Sequence, residues 1–224
     1  MIRLIVLAVA ALTLLGLLLQ PIHSRVISLA IVLLALLLVV WVVLLVRRLL
    51  RWLVVAILLV SAPFALPGAP DPAAVRAGYL QWLRAYAGTA YVWGGEGRLG
   101  IDCSGLPRSA MIGALFTYGV RHLDGVALRR AADLWWNDAS AREMLAGYGG
   151  RMAVMEGTYR VNQLRGDVRP GDLAVTVGGV HVMVHLDRTT VIQADPGRGQ
   201  VVTDTVPAAD PWYDEPVRRV RWLP

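Results

Sequence analysis

The chain has a single cysteine, Cys103, set between Asp102 and Ser104-Gly105, and two histidines, His181 and His185, in a stretch rich in β-branched residues. A thiol and an imidazole brought together can run acyl transfer: the imidazole takes the proton and the sulfur attacks a carbonyl carbon. A lone cysteine cannot form an intramolecular disulfide or a multi-cysteine metal site. It can also be a small buried hydrophobe, but its neighbours favour the nucleophile. Asp102 is a good N-cap and Gly94-Gly95 lie upstream, which places Cys103 in the first turn of a helix. Unpaired backbone N–H groups and the helix dipole favour thiolate there, and Pro107 is tolerated so close to a helix start. Side chains alternate along a strand, so His181, Met183 and His185 share a face, and face alone does not choose the base. If the turn at Asp187-Arg188-Thr189 spans an odd number of residues, Gln193 and Asp195 lie on that face too. An amide at Gln193 could accept from the ring N–H, whereas a carboxylate at Asp195 would also stabilise an imidazolium.

The elements that must position these groups follow from periodicity. Ala73 to Ala87 is helical in pattern, with Val75, Tyr79, Trp82 and Leu83 near one face. A glycine-rich turn leads to Cys103 and a helix running toward Leu115, and Gly125 to Tyr148 holds one or two more helical stretches. The period then changes: Leu173 to Val177, Val180 to Leu186 and Thr190 to Gln193 read as short strands. Helices first and strands later imply an α+β domain with an antiparallel sheet over residues 73–224. Proline and glycine at 67–72 mark a linker.

The first 66 residues read differently. They are apolar in three runs, at about 4–20, 26–46 and 49–66, the first closed by Gln20 to Arg25, and so predict two or three transmembrane helices, the third only if Arg51 snorkels. The first run has no small-x-small site before Gln20, which favours an uncleaved anchor over a signal peptide. No cysteine lies in this region to carry a lipoprotein thioether. Arg47, Arg48 and Arg51 outweigh Arg25, which predicts a cytoplasmic second connection and a C-terminal domain outside. The net charge of +6 belongs to this region: residues 1–66 hold five arginines and no acid, and the remainder holds seventeen arginines against sixteen acids. No basic patch is left on the domain, so nucleic acid is excluded as a partner, and the lipid bilayer is the partner expected of the first third.

Tyr91-Val92-Trp93-Gly94-Gly95, then six residues, then Asp102-Cys103-Ser104-Gly105 resembles the signature of the NlpC/P60 peptidases. Leu128 to Ala132, Arg169-Pro170-Gly171-Asp172-Leu173 and His181-Val182 match further segments of that family in order, so the resemblance covers about Ala73 to Ala194. It implies a papain-like fold, a cysteine-bearing helix packed on an antiparallel sheet. It implies hydrolysis of bacterial cell-wall (peptidoglycan) stem peptides, typically at the bond from D-γ-glutamate to a diamino acid, by a domain outside a multi-pass inner membrane anchor. Cys103 would be the nucleophile and His181 the base, with Gln193, twelve residues on, at the position of the family's third polar residue. Tyr91 would assist the oxyanion, and Asp102 and Ser104 would contact substrate. No metal or organic cofactor is implied. The chain departs from the family at Pro107, in lacking a wall-binding repeat, and in a long segment between Leu134 and Arg169. That segment could narrow the groove, but reads more simply as a helical insertion burying Trp135 and Trp136. A thiol amidase or acyltransferase acting on a non-wall substrate, and an inactive binding module, use the same residues.

Overall fold

The computed structural model describes residues 2–19, 25–163 and 168–224. The chain divides into two units, Met1–Ser61 and Ala62–Pro224.

The N-terminal unit corrects the expectation of two or three spans. Helix α1 covers Ile2–Leu18, and the second and third apolar runs form one continuous helix, α2 (Arg25–Ala65). One helix among the described residues is long and apolar enough to cross a membrane, over Leu29–Ala65. Arg47, Arg48 and Arg51 do not interrupt it, because arginine is a good helix former and the chain there holds no breaker. Pro63 falls in the last turn, just before the helix ends. The arginine cluster is therefore no loop, and the multi-pass topology argued from it falls with it. At about 60 Å, α2 is roughly twice the length a bilayer core needs. The residues expected to close the first run, 20–24, lie outside the described residues.

The second unit is α+β. Asp71 accepts from the Ala73 N–H at 3.0 Å and Pro72 opens α3 (Pro72–Ala85), whose buried face is Val75, Tyr79 and Leu83. Helix α4 (Gly105–His122) packs on α3, and Gly113 permits the approach: a Cβ there would lie 2.6 Å from the Trp82 ring. Helix α5 (Gly125–Trp136) is capped by Asp124, worth about 1 kcal/mol. Two-stranded β1 (Glu96–Gly97) and β2 (Gly100–Ile101) lead into Cys103.

The six-stranded antiparallel sheet has the order β3-β8-β4-β5-β6-β7, with β3 Met152–Val154, β4 Leu173–Thr176, β5 Val182–His185, β6 Thr190–Asp195, β7 Gln200–Thr205 and β8 Val217–Trp222. Alternation sorts its side chains into two layers. Leu173, Val175, Val182, Val184 and Ile192 join the core beneath the helices. Ala174, Met183 and Val191 face a smaller cluster with Val161, Tyr213 and Val217. Each fully buried valine or isoleucine contributes about 1.5–3 kcal/mol, so this register is firmly held.

The segment after Leu134 holds α6 (Ala141–Leu145), two single 3-10 turns and edge strand β3. It does not bury its tryptophans: Trp135 and Trp136 are exposed, while Leu134 points inward. Buried Arg108 ties the segment down, donating to the carbonyls of Leu134 at 2.7 Å and Asn137 at 3.3 Å and pairing with Glu96. Residues 164–167 of this segment lie outside the described residues.

Candidate active site

The surroundings of Cys103 are built by a carboxylate. Asp102 Oδ1 accepts from the Ser104 N–H at 3.0 Å, the Gly105 N–H at 2.6 Å and the Ser104 hydroxyl at 3.1 Å, while Oδ2 accepts from the Gly94 N–H at 2.9 Å. The Leu106 N–H already reaches the Asp102 carbonyl at 3.1 Å, so Cys103 occupies the first helical turn just ahead of α4. Gly105 is required by close approach, since a Cβ there would stand 2.4 Å from the Gly95 carbonyl oxygen. The Ser104 hydroxyl, aimed at Asp102, serves the cap.

Cys103 is buried, with Sγ 3.9 Å from the Val180 carbonyl and against the backbone N–H of Val182. The sulfur is thus bracketed by the residues on either side of His181. The expected lowering of its pKa is not found. Burial, then the Asp102 charge, push the thiol up to about 11, against smaller lowering by the N–H groups of Val182, Ser104 and Cys103 itself. Tyr91 lies near both groups; burial, then Cys103 and Asp102, raise its phenol to about 12, so it is a neutral donor.

The surroundings of His181 begin in a turn. Thr176 Oγ1 accepts from the N–H groups of Val180 at 3.1 Å and His181 at 3.0 Å, and Gly179 takes φ +65°. A side chain at Gly179 would press on the Arg142 backbone at 3.0 Å, so α6 sits directly over this turn. His181 is buried, its ring stacked on Trp212 with centroids 4.2 Å apart. Its Nε2 meets Gln193 Oε1 at 2.6 Å. The other end of that amide donates to Asp210 Oδ2 at 2.9 Å and to the Tyr213 hydroxyl at 3.1 Å. A carboxylate only accepts, so the amide nitrogen must face Asp210 and the carbonyl must face the ring. His181 is thereby held as the Nε2–H tautomer, with the lone pair on Nδ1. Burial lowers its pKa, opposed by Gln193 and then by the charges of Asp195 and Asp210. The resting pair at neutral pH is therefore thiol and neutral imidazole.

The two rivals are placed elsewhere. Asp195 pairs with Arg198 at 2.7 Å and accepts from the Gly197 N–H, making no hydrogen bond to His181. His185 is buried with Nε2 2.9 Å from the Tyr159 hydroxyl and, among the described residues, Nδ1 without a hydrogen-bond partner; burial depresses its pKa to about 4. Among the described residues no three histidine, cysteine or acidic side chains gather as metal ligands.

The sequence profile of the NlpC/P60 family matches residues 88–221, which contain both ends of this site. The chain belongs to the NlpC/P60 family. No curated protein matches it in sequence. Among solved structures, NlpC2 from Trichomonas vaginalis is similar at 18% identity, covering 68% of this chain with a TM-score of 0.43. This chain spans only 48% of NlpC2. The peptidoglycan hydrolase RipB from Mycobacterium tuberculosis is similar at 20% identity, over 67% of each chain, with a TM-score of 0.41.

Within this NlpC/P60 site, sequence reasoning missed the support behind Gln193. Asp210, Trp212 and Tyr213 lie beyond the recognisable segments, in a loop and short helix α7 (Pro211–Asp214) after β7. Asp210 caps α7 through the Trp212 N–H at 3.0 Å while holding Gln193 and Arg198. An Asp-Pro helix start was the available signal, but no local pattern links it to a glutamine on another strand.

Proposed function

We propose that this NlpC/P60 domain is a cysteine peptidase that hydrolyses peptidoglycan stem peptides at the bond from D-γ-glutamate to a diamino acid. The observation that carries the mechanism is the His181 Nε2–Gln193 Oε1 contact at 2.6 Å, which leaves Nδ1 as the basic nitrogen beside the strand residues that bracket the Cys103 sulfur. Nδ1 takes the thiol proton as Sγ bonds to the carbonyl carbon. The oxygen gains the charge, held by the Cys103 backbone N–H and the Tyr91 hydroxyl. The C–N bond then breaks, the amine leaves with the proton from Nδ1, and water activated by the same nitrogen releases the acid from the thioester. Burial of both partners disfavours a resting ion pair, so proton transfer accompanies attack. The substrate is the one that membership of the family implies, and Asp102 borders it beside the nucleophile.

A wall substrate places the domain on the outer side of the membrane, with α2 as its anchor. A reporter fused after Pro70 tests that placement, and a cytoplasmic signal would remove it. Incubating the full chain with purified wall tests the activity: soluble stem-peptide fragments appear, and Cys103→Ala abolishes them. Release that survives this substitution would reject the thiol mechanism. Cleavage of simple amides with none from wall would favour a thiol amidase of the same fold.

A further inference from the structure

The support behind Gln193 does not end at Asp210. Arg198 lies in the turn between β6 and β7, and its guanidinium meets three carboxylates from three places in the fold. Nε donates to Asp195 Oδ2 at 2.7 Å, at the end of β6. Nη1 donates to Asp204 Oδ1 at 3.1 Å, on β7, and Nη2 pairs with the other oxygen of that carboxylate. Nη2 also donates to Asp210 Oδ2 at 2.8 Å, just ahead of α7. An arginine placed only to close the hairpin would need Asp195 and Asp204, which flank the turn. The third contact, twelve residues on, reaches the group that holds Gln193.

A glutamine fits its space either way round, because its carbonyl and amide nitrogen are nearly the same size. Gln193 is fully buried, so the groups at its far end choose its polarity. Those groups are Asp210 Oδ2 at 2.9 Å and the Tyr213 hydroxyl at 3.1 Å. A carboxylate can only accept, but a phenol could serve either way: turned toward Gln193, it would donate and suit a carbonyl there. It is turned away. The Tyr213 hydroxyl donates to Asp204 Oδ2 at 2.7 Å, which leaves its oxygen to accept. Burial, then Asp204, raise the Tyr213 pKa, so the proton stays on the phenol. Both neighbours of the amide therefore demand an N–H, and Arg198 holds both of the carboxylates that impose this.

We propose that Arg198 is a positioning residue for the reaction at Cys103: by clamping Asp204 and Asp210 it fixes the polarity of the Gln193 amide, and through it the Nε2–H tautomer of His181. Its effect on rate rests on the peptidase reading of the site; its effect on the tautomer does not. Without the guanidinium, Asp195, Asp204 and Asp210 lose the cation they share. Like charges gathered this closely repel, so they draw apart or one of them takes a proton. Either change removes an acceptor from the far end of Gln193 or puts a donor there, and the amide can reverse. Reversed, it offers an N–H to His181 Nε2, which selects the Nδ1–H ring and leaves no lone pair on Nδ1 to take the thiol proton.

The test is nitrogen NMR of the full chain in neutral maltoside micelles with isotope-labelled histidine, beside stem-peptide kinetics. Near neutral pH both buried rings are uncharged, and the N–H and lone-pair nitrogens of one ring resonate far apart. Wild type gives the Nε2–H pattern at His181. Arg198→Gln moves that pattern toward Nδ1–H and leaves the His185 signals in place, which shows that the chain is folded. It lowers kcat about tenfold and changes KM by less than about twofold. Arg198→Lys, which keeps the charge without the fork, falls between. Wild-type His181 signals in folded Arg198→Gln would overturn the proposal even if kcat fell. The same turn accepts from the Tyr91 N–H through the Gly199 carbonyl at 2.8 Å, and loosening it would slow the reaction by that other route. A shifted tautomer with unchanged kcat would overturn the catalytic role. If Arg198→Gln does not fold, Arg198→Lys decides in its place, and wild-type signals there would overturn the proposal. A wild type that shows the Nε2–H pattern but cleaves no stem peptide would remove the peptidase reading, and the nitrogen signals would still judge Arg198.

Discussion

His181 precedes β5 and His185 ends it; they share a sheet face and are equally buried, yet their surroundings differ. The ring at 181 has its Nε2 on an amide that is itself fixed by Asp210, and it lies beside the residues touching the sulfur. The ring at 185 has a phenol on Nε2 and, among the described residues, no hydrogen-bond partner on Nδ1, and its pKa falls to about 4. Burial alone silences a histidine as a base near neutral pH. At His181 burial still lowers the pKa, but the acceptor behind the ring and the charges of Asp195 and Asp210 oppose it and favour the protonated ring.

The largest effect should separate the two rings. His181→Ala, like Cys103→Ala, is expected to lower stem-peptide cleavage by about a thousandfold or more, whereas His185→Ala stays within a few-fold of wild type in kcat. A folded but inactive His185→Ala alongside an active His181→Ala would reverse the assignment.

A smaller effect tests the chain of contacts behind His181. Gln193→Ala should cost about ten- to a hundredfold, since it removes the tautomer lock. Asp210→Asn should cost about tenfold, because an asparagine can donate as well as accept and so lets the Gln193 amide turn over. It should also move the acid limb of the kcat/KM profile to lower pH, since one charge favouring imidazolium is gone. Asp195→Ala should cost less than Gln193→Ala; the opposite order would give the orienting role to the aspartate.

The smallest effect is on stability, and here His185 dominates. Its folded pKa of about 4 lies below the ordinary 6.5. Between these values the unfolded chain binds a proton that the folded chain does not. The stability is complete above pH 6.5 and is lost as pH falls toward 4, by ~3 kcal/mol at most. The midpoint of wild type minus that of His185→Gln should rise from pH 4 to 6.5 and be flat above it. Parallel curves would mean that His185 takes up its proton alike in the folded and unfolded chain.

What the sequence made legible was local. The helix over α3, the strands β4 to β6, the cap at Asp102 and the odd-residue face joining His181 to Gln193 all follow from period and turn chemistry, and all are present. The rest depended on contacts distant in sequence. Asp210 meets Gln193 only because β7 turns back, and the arginine-rich β8 carries little apolar alternation by which to find it. Residue type predicts burial of Trp135 and Trp136, yet only Leu134 faces inward. The thiol was assigned a lowered pKa from its helix start, but its burial comes from the turn at Val180, on another element. The arginines at 47–51 looked like a boundary and lie within one long helix.

The most direct measurement of the central claim is an acid-quenched reaction of the full chain with a stem peptide, followed by mass analysis of the protein. The account predicts a transient adduct, equal to the acyl fragment less water, on the peptide carrying Cys103, absent in Cys103→Ala. In His181→Ala it should form far more slowly. Turnover by wild type with no adduct at Cys103, together with cleavage that persists in Cys103→Ala, would contradict it.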